Sequence, residues 1–366
     1  MSETKIIQCE SSQAFESNSH LDAALLPVKR NNDLLDVIKF ILSFMIVAIH
    51  TSLFPAVLYP WLRLAVPMFF LISSFLFFKK VNRCEKATEK NKALKSFVIR
   101  NVILYAFWFI VQFPYYFVAR GWFDYGFVNG IINILINMIF GSTFVASWFI
   151  AAIIIGTVIV FFASKKLSNK ALLAIGVVLY IIVSLRSSYV ILFKNITPII
   201  NIIKAYETYL PSPFNSFPVG IFWIVCGKIF ADGGFKFKKE STYFNLGVSL
   251  ALLLGEWLVV RHLTGDVNKD CYLMLAPCLI SIFCIILRQK PREFKNALAM
   301  RKISVITYAS HGAVLGIIQR LFKMIISLTM PSVVLFILTI VSCLCMGVII
   351  IWLEKYKLFK WLKYSH

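Results

Sequence analysis

Charge is what this sequence has least of. Asp, Glu, Lys and Arg make up only 15% of its 366 residues, against roughly 25% in a soluble domain. Acidic residues are the scarcer kind, 17 against 38 basic ones. A single water-soluble core of this length is therefore excluded. No Cys-x-x-Cys pair occurs among the eight cysteines, which argues against a zinc ribbon or a disulfide framework and predicts no metal. Residues 1–30 lack the basic start, apolar core and cleavage site of a signal peptide. They are polar and irregular, and are expected to form a disordered cytoplasmic tail. There is no glycine loop to cradle phosphate, no His-Glu-x-x-His and no Gly-x-Ser-x-Gly. No His is followed, after four residues, by the Asp that glycerolipid acyltransferases use.

What is abundant is apolar surface. Apolar residues reach 59%, Phe alone occurs 34 times, and mean hydropathy is +0.79. The apolar runs approach the roughly 20 residues that span a bilayer. Ten are predicted, near 36–56, 61–78, 97–118, 143–163, 171–189, 214–231, 243–260, 271–287, 303–321 and 332–353. Segment 124–142 is too rich in Asn and Gly for a span and reads as an interfacial or re-entrant helix. Segment 190–213 reads as an outer loop with a short helix.

The formal charge of +21 is not a nucleic-acid footprint, because the basic residues sit in short clusters between apolar runs. With the N-terminus inside, 29 of the 38 Lys and Arg fall on alternate connections. That asymmetry predicts an all-α integral membrane protein of about ten transmembrane helices, with both termini cytoplasmic. The expected organisation is a tail at 1–30, a ten-helix membrane domain at 31–353 and a basic tail at 354–366, multi-pass in the cell inner (plasma) membrane. No internal repeat supports an inverted-repeat transporter.

Ionisable groups inside such spans are functional candidates, since each costs several kcal/mol unless it faces a cavity or a partner. The first span has the best set. Asp36, Lys39, Ser43 and His50 share one helical face, and Lys39 and His50 differ by only about 20° around the axis and about 16 Å along it. The stripe suggests a hydrophilic cleft leading to His50 as general base, a role that imidazole suits. An interfacial Asp36–Lys39 pair and a structural His is the blander reading. Arg63 starts the second span beside His50 in a compact hairpin. Pro67 is expected to bend that span, and Ser73 and Ser74 suit either packing or hydrogen bonding. In the ninth span Tyr308 lies one turn before His311, with a cavity role and a packing role both open. Glu256 reads as a paired or solvated interfacial residue.

These residues also carry a family resemblance. The run LLDVIKFILSFMIVAIHTS resembles the opening of the membrane-bound acyltransferase-3 family: Leu-Asp, a basic residue three later, and His eleven after that. Asp36, Lys39 and His50 stand at those intervals, with Lys where Arg is more usual. RLAVPMFFLISSFLFF resembles the family's second helix through Val66, Pro67, Phe69, Phe70, Ser73 and Phe75, with Ser74 in place of the usual Gly. Arg100 and Trp108 match the third helix, but Ile103 replaces its second Arg. Ser147, Trp148 and Phe149, and then Ser304, Tyr308 and His311, resemble later elements.

The resemblance implies an O-acyltransferase that moves an acyl group, usually acetyl, from cytoplasmic acetyl-CoA or another acyl-CoA to a hydroxyl of an envelope glycan or lipid-linked sugar. It implies His50 and Asp36 as catalytic residues and Lys39 and Arg100 as ligands of the CoA phosphates. Arg63, Ser73, Ser74, Trp148, Tyr308 and His311 would line the acceptor cavity. Some relatives carry a fused soluble racemase or hydrolase domain, which residues 354–366 are expected not to provide. A transporter or export subunit for a lipid-linked glycan is the competing reading. An enzyme of another membrane acyltransferase class, relying on His311, is a third.

Overall fold

The computed structural model describes residues 33–366 except 125, 194, 266–268, 291 and 327–328. The expected tail at 1–30 lies outside the described residues. Among the described residues there is no strand. Thirteen α-helices follow one another: α1 (Asp33–His50), α2 (Tyr59–Leu62), α3 (Ala65–Val81), α4 (Ala87–Arg120), α5 (Phe127–Phe140), α6 (Ser147–Ala163), α7 (Asn169–Ser187), α8 (Thr197–Tyr209), α9 (Phe217–Ala231), α10 (Lys239–Thr264), α11 (Leu275–Arg288), α12 (Ala297–Ile326) and α13 (Ser332–Leu353). Each of the ten apolar runs contains an α-helix. Among the described residues five stretches are long and apolar enough to cross a membrane: 56–81, α4, α7, α10 and α13.

The centre of the bundle is α3 against α9, with α6 and α7 packed on α9 and with α1 against α12. Close approach at the centre depends on Gly227 of α9. A Cβ there would stand 2.0 Å from Ser74 Oγ and 2.8 Å from the Leu71 carbonyl oxygen of α3. Small residues let helices approach where lipid offers no hydrophobic drive. The outer helices are the converse. Only 22% of the apolar window of α4, α10 or α13 is buried, against 67% for 56–81. Apolar side chains facing outward on that scale suit lipid as the surrounding solvent.

Several expectations need correcting. Pro67 falls in the first turn of α3, where its missing N–H costs little, so it opens the helix instead of bending it. The second span is preceded by a 3-10 turn, Ala56–Leu58, and by the one-turn α2. The third helix starts ten residues early, at Ala87. The linker ATEKNKALK is made of strong helix formers, so α4 grows out beyond the apolar run. It ends where Gly121 adopts a left-handed φ of 56°. At 14 residues α5 is one of four shorter apolar helices, with α6, α9 and α11. The basic segment 354–366 packs on α4 and α13. A 3-10 helix, Lys357–Ser365, buries Leu362, and the Trp108 indole N–H donates to the Ser365 carbonyl at 2.9 Å.

Candidate active site

α1 ends at His50 because the chain turns there: Thr51 bonds back to the Val47 carbonyl, and Ser52 takes a left-handed φ of 52°. This end of the bundle holds a half-open cavity of about 630 Å³. His50 is exposed and lines it, with Arg63, Arg120, Trp148, Asp270 and Tyr308.

His311 lies directly behind His50. The two imidazole centroids are 5.0 Å apart, and His311 has no solvent exposure. Its Nδ1 is 2.8 Å from the Tyr308 carbonyl oxygen. A carbonyl only accepts, so Nδ1 carries the proton and Nε2 of the neutral ring is left as an acceptor. That Nε2 is buried and has no hydrogen-bond partner among the described residues. The neighbouring His50 ring is the group best placed to supply one, and such a bond would fix its tautomer.

A pinned loop, 141–146, forms one wall of the cavity. The Tyr308 hydroxyl donates to the Ala146 carbonyl at 2.9 Å, and Val145 N donates to the Tyr116 hydroxyl at 3.2 Å. Ser147 Oγ accepts from Thr143 N at 2.9 Å. Ala146 is held at a φ of 67°, a left-handed state that costs a non-glycine residue about 1–2 kcal/mol. The loop rests on α12 because residue 312 is Gly. A Cβ there would meet Val145 Cβ at 2.3 Å.

The structure thus brings together His50, Arg63, Trp148, Tyr308 and His311. It does not bring Asp36 to them. Asp36 is 14 residues before His50, about 21 Å along α1. It pairs instead with Lys39 at 3.9 Å and Arg301 at 3.8 Å, so it cannot act on the His50 ring. Lys39 and Arg301 thus share one carboxylate. Arg100 itself is exposed, with its guanidinium 5.9 Å from the Phe97 ring centroid.

Nor is the stripe between the two ends an open cleft. Ser43 is fully buried, its hydroxyl donates to the Phe40 carbonyl at 2.7 Å, and the cavity reaches down α1 only to Ile46. Ser74 bonds back to the Phe70 and Leu71 carbonyls and packs against Gly227. Ser73 is half-buried on α3. Neither serine lines the cavity. Glu256 is not solvated: its carboxylate accepts from Leu273 N and Met274 N and fixes the chain entering α11. Among the described residues no three His, Cys, Asp or Glu side chains are grouped to hold a metal ion.

Sequence reasoning missed Arg120 and Asp270. Asp270 holds the Arg63 guanidinium at 2.5 Å across 207 positions of chain, a pairing with no local signal. Arg120 was visible only as one of nine basic residues on the sparse side of the charge count.

The profile of the acyltransferase-3 family, described as an acyltransferase domain, matches residues 32–353. Two curated proteins of Enterococcus faecalis, each named amino-acid racemase, are also similar to the chain. One is 25% identical over 285 residues, covering 74% of this chain and 37% of that protein. The other is 25% identical over 313 residues, covering 80% and 42%. The chain thus spans about two fifths of the length of these relatives. No solved structure matches it.

Proposed function

This chain belongs to the acyltransferase-3 family, and on that premise we propose that it is a ten-span O-acyltransferase with both termini in the cytoplasm. In this reading it moves an acyl group, acetyl by preference, from cytoplasmic acyl-CoA to a hydroxyl of an envelope glycan or lipid-linked sugar, in the inner membrane. The observation that carries the proposal is the His50–His311 pair at the floor of a cavity large enough for a sugar.

His50 takes the proton of the acceptor hydroxyl as that oxygen attacks the thioester carbonyl. The new C–O bond forms, the C–S bond breaks, and the proton passes from His50 to the departing thiolate. An acyl-imidazole relay on His50 uses the same geometry and gives the same products. A small closing of the 5.0 Å ring separation lets His311 Nε2 accept from the His50 N–H, which turns the other His50 nitrogen to the acceptor and stabilises the imidazolium that forms. Tyr308 holds both His311 and the 141–146 wall. At the opposite end Lys39, Arg100 and Arg301 supply the cations for the CoA phosphates, and the thioester arm reaches His50 only when the packing around buried Ser43 opens. Asp36 positions Lys39 and Arg301 and takes no part in the chemistry.

The test is CoA thiol release by purified protein, with acetyl-CoA and a glycan acceptor. We expect acceptor-dependent release that His50→Gln abolishes while the protein stays folded and in the membrane. Release that is unchanged in His50→Gln removes the mechanism. Glycan translocation with no need for acyl-CoA would instead establish the export reading. The racemase name of the relatives is not carried over, since this chain covers under half of each.

A further inference from the structure

We propose that Arg120 is the acceptor-specificity residue, binding an anionic oxygen group, carboxylate or phosphate, that the acceptor carries. The inference rests on the cavity being the acceptor site. Its grounds are how the charges around that cavity are used.

Two arginines and one aspartate line the cavity. Asp270 is taken up by Arg63 at 2.5 Å. Arg120 has no ion-pair partner among the described residues, although it is exposed at the same cavity. With the histidine neutral, one positive charge of the lining is therefore uncompensated.

That cation is nonetheless held in place. Its guanidinium carbon is 5.7 Å from the Tyr116 ring centroid and 5.4 Å from that of Trp122. The Tyr116 hydroxyl is itself fixed by Val145 N, so the shelf under the guanidinium belongs to the same pinned wall as Ala146. Arg120 is also the last residue of α4, where the helix dipole favours a cation. Aromatic faces and a dipole orient a guanidinium without neutralising it. Its planar fork then faces the cavity ready for a bidentate oxygen anion. The neutral hydrogen-bonding groups nearby, Asn137, Ser142 and Asn215, match the hydroxyls of a sugar.

The anion can sit on the sugar itself, as a uronic carboxylate, or on a carrier, as a diphosphate. The experiment separates the two. Full-length protein in phosphatidylcholine nanodiscs is titrated with methyl glucuronide, methyl glucoside and a short-chain prenyl-diphosphate glucose, following tryptophan fluorescence. We expect at least one anionic probe to bind about tenfold or more tighter than the glucoside, the order of one charge-assisted contact. The probe that does so identifies the source. Arg120→Gln should bring the ratio close to one, Arg120→Lys should keep part of it, and Gly255→Ala on α10, away from the cavity, should keep all of it. Added salt should weaken the anionic probe and spare the glucoside in the unaltered chain.

Equal affinities for all three probes, equal salt responses, or a preference that survives in Arg120→Gln would each overturn the proposal. If Arg120→Gln fails to fold, Arg120→Lys carries the comparison, and equal salt responses still overturn the proposal. CoA release is scored separately. An anionic preference without CoA release keeps this inference and ends the transferase reading, and release without the preference does the reverse.

Discussion

The two ends of the helix bundle treat charge in opposite ways. At the Asp33 end Asp36, Glu354 and Asp232 are each matched by cations. Asp36 lies between Lys39 and Arg301. Glu354 receives Lys302 at 2.8 Å and His366 at 3.3 Å. Asp232 accepts from Lys228 at 2.6 Å and from Asn82 and Asn169 at 2.8 Å. At the His50 end Arg63 holds Asp270 and Arg186 holds Glu207, yet around the cavity unused capacity remains among the described residues: an exposed imidazole, a buried imidazole nitrogen without a partner, and a cation on aromatic rings. Matched charges hold helix ends in register. Unmatched groups in a preformed cavity are what chemistry and recognition require. The difference fits the proposed reacting centre at the His50 end.

The sharpest way to break this contrast is to substitute both ends. His50→Ala should lower acceptor-dependent CoA release by about 10²–10⁴-fold, the range for a positioned general base, with thermal stability little changed. Asp36→Asn should leave the chemical step intact and raise the KM for acyl-CoA. A loss of kcat in Asp36→Asn with KM unchanged would erase the distinction between the ends.

His311→Phe tests the unpartnered nitrogen. It keeps the buried volume but offers no acceptor to His50. We expect kcat to fall about tenfold to a hundredfold, and the pH at half-maximal rate to move because His50 loses its neighbour. An unshifted pH profile would make His311 a packing residue. Gly312→Ala should displace Val145 and with it the cavity wall, cutting activity several-fold and destabilising the protein by about 1–3 kcal/mol. Gly255→Ala on α10, where a Cβ meets nothing within 4 Å, is the matched control, and should leave activity unchanged and stability slightly raised.

The smallest effect belongs to the scaffold end. Burial pushes the Asp232 carboxyl up, but hydrogen bonds from Lys228, Asn169 and Asn82 outweigh it and hold the pKa below its ordinary 3.8. A carboxylate with a depressed folded pKa stabilises above its unfolded pKa, and that stability is lost as pH falls through the folded value. Asp232→Asn should therefore remove part of the loss of thermal stability below about pH 4. At neutral pH it should cost no more than about 1 kcal/mol, since the group is partly exposed. A larger cost at pH 7 would mean that this end does more than hold register.

Much of this was legible in the chain. A run of apolar residues near spanning length has few alternatives to a helix, so the ten runs could be read directly. The spacing of Asp36, Lys39 and His50 put one imidazole at the far end of a charged stripe, and the structure opens a cavity there. Helix ends were less legible. The α4 start at Ala87 follows from helix propensity outside the apolar run, which hydropathy does not weigh. The role of Ser74 was ambiguous because its meaning lies in Gly227, 153 residues away.

What the sequence determined by itself is everything that depends on local periodicity and on the exclusion of charge from lipid: an all-helical chain, its apolar runs and the family it belongs to. What only the tertiary structure decided is which distant residues meet. The 5.0 Å approach of His50 to His311, the capture of Arg63 by Asp270 and the aromatic shelf under Arg120 all depend on how helices cross. Helix crossing is set by side-chain volumes at contacts far apart in the chain, such as Gly227 of α9 against α3 and Gly312 under the 141–146 wall, and no local pattern encodes them.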